Sequence, residues 1–150
     1  MKQLRQLSLS EAGMEWLPKE IGELTELREL WLENNHLKTV PKEIGNLKQL
    51  RVLFLGSNQL SELPREIGAL HELRELWLEN NELTVLPTTI GNLNKLKQLL
   101  LGSNRLRRVP ESIQDIQALR YLDVRWNDGF ETVDWLTNLH TSQGKVKVNQ

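Results

Sequence analysis

The chain has 150 residues, of which 39% are hydrophobic and 26% are charged, a composition typical of one ordinary globular domain. Its 19 basic and 20 acidic residues leave a net charge of −1, so there is no large positive field to attract a nucleic acid or an anionic membrane. It has no cysteine, which excludes disulfide bonds, thiolate metal ligands and thiol nucleophiles.

The amino-terminal segment has no unbroken apolar stretch of the length found in signal peptides. No part of the sequence approaches the ~20 apolar residues of a membrane-spanning helix. Together with the absence of cysteine, these features predict a cytoplasmic protein without a membrane partner. The alternative is a protein secreted, without a Sec signal, into the cytosol of a host cell.

Six similar segments follow one another along the chain, each beginning with a leucine 23 residues after the last. These leucines are Leu4, Leu27, Leu50, Leu73, Leu96 and Leu119. Each begins a Leu-x-x-Leu-x-Leu segment, which predicts a short strand because alternate residues then point to the same side. In the regular copies an Asn marks the turn off the strand. A later Pro, which fixes φ, starts a return segment that is either a short α-helix or a 3₁₀ turn.

The recurring Asn predicts a ladder of buried amides that joins the copies. A buried Asn side chain can hydrogen-bond the backbone of its own copy and of the neighbouring copy. The residues concerned are Asn35, Asn58, Asn81, Asn104 and Asn127. One copy buries too little apolar surface to fold alone, so we expect the stability to be shared between stacked neighbours.

The two ends depart from the repeat. In the first copy, residues 1–26, Ala12 stands at the Asn position and Met14 at a Leu position. This predicts a variant terminal repeat with an exposed strand edge, so that either a segment is missing or a partner covers the edge. Regular copies follow over residues 27–118.

The last copy begins normally and then loses the pattern, which predicts a terminal repeat and cap over residues 119–140. The repeat domain is therefore expected to cover residues 1–140. Residues 141–150 are predicted to form a carboxyl-terminal tail. The alternating pattern of residues 145–148 leaves two alternatives for this tail, an added edge strand or disorder.

The repeated pattern LxxLxLxxNxLxxLPxxIGxLxx, over residues 4 to about 127, resembles the 23-residue class of the leucine-rich-repeat family. The resemblance implies an α/β solenoid of about six repeats. Its shape would be a horseshoe with a parallel concave β-sheet and short helical or 3₁₀ convex segments. Related repeats occur in bacterial proteins, in plant intracellular proteins and in animal Ras-pathway and polarity scaffolds. The resemblance therefore implies a binding protein.

Residues 23 apart become neighbours on the sheet face, because adjacent strands lie ~4.8 Å apart. The central outward column is apolar and consists of Trp31, Phe54, Trp77 and Leu100. Large exposed aromatic side chains are typical of protein interfaces. Acidic residues flank this column at Glu29, Glu33, Glu75 and Glu79. Tyr121, Arg125 and Trp126 are predicted to extend the site towards the carboxyl-terminal end.

The same columns allow other interpretations. The closest similarity recurs every 46 residues, so Trp77 can be a copy of Trp31 kept by duplication, and stacked aromatics also stabilise a sheet face. A basic column suggests a track for a polyanion, and it consists of Arg5, Arg28, Arg51, Arg74, Lys97 and Arg120. Neighbouring glutamates favour charge neutralisation on a solvated rim instead.

No arrangement in the sequence is typical of catalysis. His36, His71 and His140 are widely separated and occupy unrelated repeat positions. Glu33 and Glu79 are expected to lie two strands, roughly 10 Å, apart on an open face where water has access. We therefore predict no enzymatic activity, no metal site and no cofactor.

The sequence predicts a non-catalytic interaction module that binds a protein or peptide with a basic segment on its concave face. Nucleic acid and membrane are not expected partners. Three alternatives remain: a scaffold that self-associates through its chain edges or through the apolar column, a secreted bacterial effector, and an engineered repeat protein without a natural ligand.

Overall fold

A computed structural model describes residues 3–150 of the chain. Seven short strands form one parallel sheet in the order β1-β2-β3-β4-β5-β6-β9, and a two-stranded antiparallel sheet pairs β7 with β8. The strands are β1 Gln6–Ser8, β2 Glu29–Trp31, β3 Val52–Phe54, β4 Glu75–Trp77, β5 Gln98–Leu100, β6 Tyr121–Asp123, β7 His140–Thr141, β8 Gly144–Lys145 and β9 Lys147–Asn149. Consecutive strands of the large sheet pair with residues 23 apart in register as far as β6, so the chain is the predicted solenoid.

The return segments are 3₁₀ helices, which decides between the two conformations that the sequence allowed. They span Lys19–Glu23, Lys42–Asn46, Arg65–Ala69, Thr88–Asn92 and Glu111–Asp115. Each follows a proline with φ between −67° and −65°, a value already suited to the first helical turn. The N–H of Ile67 donates to the carbonyl of Pro64 over 3.0 Å, the i to i+3 pattern that defines this helix.

The predicted asparagine ladder is present. Asn81 lies 8% exposed, and its Nδ2 donates to the carbonyls of Leu55 and Leu78 at 3.0 Å each. Its Oδ1 accepts a 3.0 Å hydrogen bond from the N–H of Leu60 in the preceding repeat. The same contacts recur at Asn58 and, with the other ladder residues, tie each repeat to the one before it. The amide thus satisfies backbone groups that the turn leaves buried.

The carboxyl-terminal end is closed by a different structure. The short helix α1, Asp134–Thr137, and the β7–β8 hairpin bury Leu136, Leu139 and Val146 against the last coil. Strand β9 then pairs in parallel with β6, with Val148 opposite Leu122. Of the two alternatives for residues 141–150, the structure has the added strand, and the sheet continues to Asn149 where the pattern alone predicted a tail.

The amino-terminal end has no equivalent covering structure in the described residues. Strand β1 pairs only with β2 within residues 3–150. Leu4, Leu7 and Leu9 are partly buried, whereas the equivalent leucines of the inner repeats are fully buried. No helix in residues 3–150 is long and apolar enough to cross a membrane.

Candidate binding site on the concave sheet face

The parallel register places the predicted apolar column in one row across four strands. Trp31 is opposite Phe54, Phe54 is opposite Trp77, and Trp77 is opposite Leu100. We call Trp31, Phe54, Trp77 and Leu100 the aromatic stripe. The leucines on either side of each stripe residue are fully buried, so period-two alternation turns the stripe away from the core.

The aromatic stripe is a continuous stack. The ring centroids of Trp31 and Phe54 are 6.0 Å apart with an angle of 25° between the planes. Those of Phe54 and Trp77 are 4.0 Å apart at 20°. Trp31 is 40% exposed, and the other three residues of the stripe are partly exposed. The rings therefore stack on one another, as expected if the column stabilises the sheet face. They also still present apolar surface to solvent.

A hollow adjoins the amino-terminal end of the aromatic stripe. It has a volume of about 270 Å³ and is lined by Gln6, Leu7, Ser8, Glu29 and Trp31. This volume is close to the lower end of ligand pockets, roughly 300 Å³, and suits one inserted side chain better than a whole small molecule.

The carboxylates of Glu33 and Glu79 lie beside the stripe and are less open to water than the sequence suggested. The Oε2 atom of each is buried and has no hydrogen-bond partner. Gly56, between them in the register of the sheet, leaves the room: a Cβ atom there would lie 2.7 Å from Oε1 of Glu79. The expectation that water has access to both carboxylates was therefore wrong for these two oxygens, because neighbouring atoms of the packed face cover them.

The environment of Glu79 disfavours its negative charge. Burial raises the pKa of this carboxyl, a hydrogen bond from its own backbone opposes the rise, and the charges of Glu33 and Asp123 add to it. Burial and the neighbouring negative charges both destabilise the ionised form of Glu79 in the folded chain. No cation of the described residues forms an ion pair with Glu79.

We expect Glu79→Gln to increase the free energy of unfolding at pH 7, by less than about 1 kcal/mol because the group is partly hydrated. Since the folded-state pKa is raised, the stabilising contribution of Glu79 is complete below the unfolded-state pKa and is lost as pH rises through the folded-state pKa. The difference from the native chain should therefore shrink at about pH 3.5, where a glutamate in either state is largely protonated. Urea unfolding at both pH values measures it. Glu62→Gln, at an exposed position, is the control, and equal stabilisation by both substitutions would contradict the account.

The predicted carboxyl-terminal residues form a polar cluster that is internally paired. Arg125 donates from Nη2 to Oδ2 of Asp123 over 2.6 Å and from Nε to Oδ1 over 3.1 Å. Burial tends to raise the pKa of Asp123, but hydrogen bonds and charge from Arg125 outweigh it and hold the pKa below its usual value. Asn149 donates to the hydroxyl of Tyr121 over 2.6 Å, and Lys147 lies 5.7 Å above the Tyr121 ring. Sequence reasoning missed the contacts of Tyr121 with Asn149 and Lys147 because they depend on β9.

Two exposed tryptophans lie outside the strands. Trp126, in the predicted site, is 76% exposed and has φ 63°, a left-handed conformation that costs a non-glycine residue roughly 1–2 kcal/mol. Trp16, which the repeat pattern did not single out, is 68% exposed and lines a separate hollow with His36 and Lys38. The sequence feature that could have indicated an exposed Trp16 was its position just before the Leu17-Pro18 pair of the variant first repeat.

The other charged positions form no second site. Residues 3–150 contain no group of three His, Asp or Glu side chains placed to hold a metal ion. In the basic column only Arg120 has a side-chain hydrogen bond among those found in the described residues, to Gln143. The other members of the basic column form no direct ion pair within residues 3–150, but the charges of Arg51 and Arg74 are among the causes that lower the pKa of Glu72, after its hydrogen bond from Lys95. Glu72, which lies close in sequence to Arg74 of the basic column, forms its ion pair with Lys95 instead, over 2.6 Å.

Comparison with known proteins gives two family matches. The profile described as a leucine-rich repeat region matches residues 42–141, and the single leucine-rich repeat profile matches residues 26–47. Curated protein sequences give no significant match.

Several solved structures share the fold at substantial identity. A leucine-rich-repeat protein of Leptospira interrogans is 42% identical with a TM-score of 0.72, over 75% of this chain and 29% of that one. The ectodomain of the membrane receptor kinase GASSHO1/SCHENGEN3 from Arabidopsis thaliana, solved with CASPARIAN STRIP INTEGRITY FACTOR 2, is 40% identical with a TM-score of 0.77, over 84% and 16%. The plant peptide hormone receptor RGFR1, solved with RGF2, is 35% identical with a TM-score of 0.76, over 84% and 21%.

This chain spans less than a third of each of these proteins. The shared fold and the family match over residues 42–141, two thirds of the sequence, establish its classification. The chain belongs to the leucine-rich-repeat family.

Proposed function

We propose that this chain is a non-catalytic recognition module that binds a protein or peptide on its concave sheet face. The observation that carries the proposal is the aromatic stripe, a stack of three rings and a leucine in register on four adjacent strands. Two plant receptors with the same fold were solved in complexes with their partners, which supports a binding role for this chain as well.

The energetics of the stripe favour binding over a purely structural role. Its rings already stack on each other, so the intramolecular gain does not require Trp31 to remain 40% exposed. Covering an aromatic side chain removes up to roughly 150–250 Å² from water. Rigid rings also lose little conformational entropy when a partner packs on them, a property shared by many interface hot spots.

The acidic margin indicates the charge of the partner. Glu29 and Glu75 lie on one side of the stripe, and Glu33 and Glu79 lie on the other. None of the four takes part in an ion pair within the described residues. A partner segment with apolar anchors and basic side chains would therefore complement this face in both shape and charge.

The test is capture of partners from lysate by the native chain, identification by mass spectrometry, and titration of a purified partner. We expect Trp77→Ala to weaken that affinity by about 10-fold to 100-fold, the range for loss of an aromatic hot spot. The matched control is Trp16→Ala, which removes an exposed indole outside the concave face. Circular dichroism verifies that both variants are folded. Equal affinity of the native chain and Trp77→Ala, or an equal loss in both variants, would refute the proposal.

Self-association is the second candidate function, favoured by the partly buried leucines at the β1 edge. An uncovered strand presents backbone donors and acceptors to another chain. Sedimentation equilibrium of the native chain tests this candidate, since association would give a mass that rises with concentration.

A further inference from the structure

The first strand of the large sheet has an open edge. Within residues 3–150, β1 pairs only with β2. The carbonyl of Arg5 accepts from the backbone of β2, and the N–H of Leu9 donates to it. Because backbone groups alternate in direction along a strand of a parallel sheet, the N–H and C=O groups of Gln6 and Ser8 point away from β2. They are the donors and acceptors that an edge strand offers to another strand.

The last strand of the sheet offers the complementary edge. Strand β9 pairs only with β6 within the described part of the chain. The N–H of Lys147 and the carbonyl of Asn149 bond on the β6 side, so both backbone groups of Val148 point away from β6. A hollow of about 350 Å³ adjoins β9 and is lined by Thr137, Lys145, Val146, Lys147, Val148 and Gln150. None of these residues belongs to β6, so the hollow opens on the outer side of β9.

The apolar row beneath the sheet is incompletely covered at both ends. Its inner members are fully buried, and they are Leu30, Leu53, Leu76, Leu99 and Leu122. Leu7 at the first position of the row and Val148 at the last position are only partly buried. If β9 of one copy paired with β1 of another in the register of the sheet, Val148 would lie against Leu7, and both side chains would be removed from water.

The two ends also carry opposite charge. Residues 3–26 contain five exposed glutamates against Arg5 and Lys19. Residues 135–150 contain the exposed Lys145 and Lys147 and no acidic residue. Neither these glutamates nor these lysines form an ion pair within the described residues. Attraction therefore favours contact between the first repeat of one copy and the last strand of another, whereas repulsion disfavours a symmetric contact between two first repeats.

We propose that a second copy of this chain covers the β1 edge with its own β9 strand, so that copies associate head to tail through one continuous parallel sheet. This inference rests on self-association, the second candidate function, and identifies the two surfaces that meet. The contact is heterologous, because the two edges differ. Each assembly therefore keeps one open β1 edge and one open β9 edge, and growth continues beyond a dimer.

The contact between copies is weaker than the contact between repeats of one chain. Ala12 stands where the inner repeats have the ladder asparagine, so the first repeat offers no side-chain amide to a repeat placed before it. The two strands that meet have three residues each, which gives an interface below the standard size of stable complexes. We therefore expect reversible association at concentrations between about 10 µM and 1 mM.

Sedimentation equilibrium of the intact chain and of three variants provides the test. Ser8→Pro removes an N–H from the open side of β1 and leaves the bonds to β2 in place. Lys145→Glu combined with Lys147→Glu reverses the charge of the β9 edge. The control, Lys38→Glu combined with Lys42→Glu, makes the same change in charge at exposed positions of an inner repeat. Circular dichroism verifies that each variant is folded.

The chain has a mass of 17.5 kDa, and we expect the average mass of the native chain to rise above that of a dimer as concentration increases. The control should do the same, whereas the β1 variant and the β9 variant should each remain monomeric. A mixture of these two variants should form dimers and nothing larger, because it supplies only one kind of contact, between a native β9 edge and a native β1 edge.

The other outcomes separate this inference from the functions already proposed. A native chain that stays monomeric up to 1 mM, a concentration typical of weak association, overturns both the head-to-tail contact and self-association. Association that stops at a dimer, that persists in the β9 variant or that is lost equally in the control overturns the head-to-tail contact alone. A mixture of the β1 and β9 variants that stays monomeric does the same. Recognition on the concave face is still judged by the captured partner and the Trp77→Ala variant.

Discussion

Replacing Asn81 with Ala is expected to lower the free energy of unfolding by roughly 3–5 kcal/mol, because several buried backbone groups lose their partners at about 1–3 kcal/mol each. The side chain accepts from the N–H of Leu60 and donates to the carbonyls of Leu55 and Leu78. These groups belong to two adjacent repeats, so the substitution weakens an interface of the solenoid as well as a turn. Urea denaturation followed by far-ultraviolet circular dichroism measures the change.

The control for this prediction is Asn92→Ala. Asn92 is exposed at the end of the fourth 3₁₀ helix, and its replacement should change the stability by no more than about 0.5 kcal/mol. If Asn81→Ala were as mild as Asn92→Ala, the amide ladder would not be what joins the repeats.

Gly68→Ala is expected to destabilise the chain by roughly 2–3 kcal/mol, although alanine ordinarily suits a folded backbone better than glycine. A Cβ atom at Gly68 would lie 2.5 Å from the carbonyl oxygen of Thr89 and 2.6 Å from its Cβ. Both atoms belong to the next convex segment, whose backbone cannot yield without separating the two repeats. Thermal and urea unfolding of the purified variant measure the loss.

Two other positions show where the stacking of convex segments requires a glycine and where it does not. A Cβ atom at Gly102 would have no neighbour closer than 3.4 Å, the nearest being the carbonyl oxygen of Arg125, so Gly102→Ala should be nearly neutral. In the last convex segment the equivalent position is the exposed Gln114, and the cap beyond it adds no further 3₁₀ helix. Equal effects of Gly68→Ala and Gly102→Ala would show that stacking of the convex segments does not set the glycine positions.

The repeated architecture was predictable because each element has its own local cause. Alternating leucines specify short strands, and Pro64 and its equivalents start the convex segments. Asn81 and its equivalents stabilise a turn and hydrogen-bond the backbone of the neighbouring repeat. The choice of 3₁₀ over α-helix was not predictable, because both accept a proline at the start and an isoleucine facing the core. Strand β9 was not settled either, because the short Lys147–Asn149 segment gains its stability from pairing with β6.

The candidate site was predictable to the level of columns and no further. Register alone brought Trp31, Phe54 and Trp77 together, since residues 23 apart must meet on adjacent strands. The burial of one carboxylate oxygen on each of Glu33 and Glu79 was missed because it depends on how side chains fill the space between neighbouring strands. Side-chain direction and solvent access are properties of the packed face, and a repeat pattern does not specify them.

Oxidative footprinting of the tryptophans in the complex with a captured partner tests the central claim most directly. The chain has five tryptophans, and mass spectrometry follows the modification of each indole with the partner present and absent. If the concave face is the binding surface, Trp31 and Trp77 become protected in the complex while Trp16 stays reactive. Unchanged modification of Trp31 and Trp77 in an intact complex, with protection elsewhere, would contradict the account and place binding on another surface.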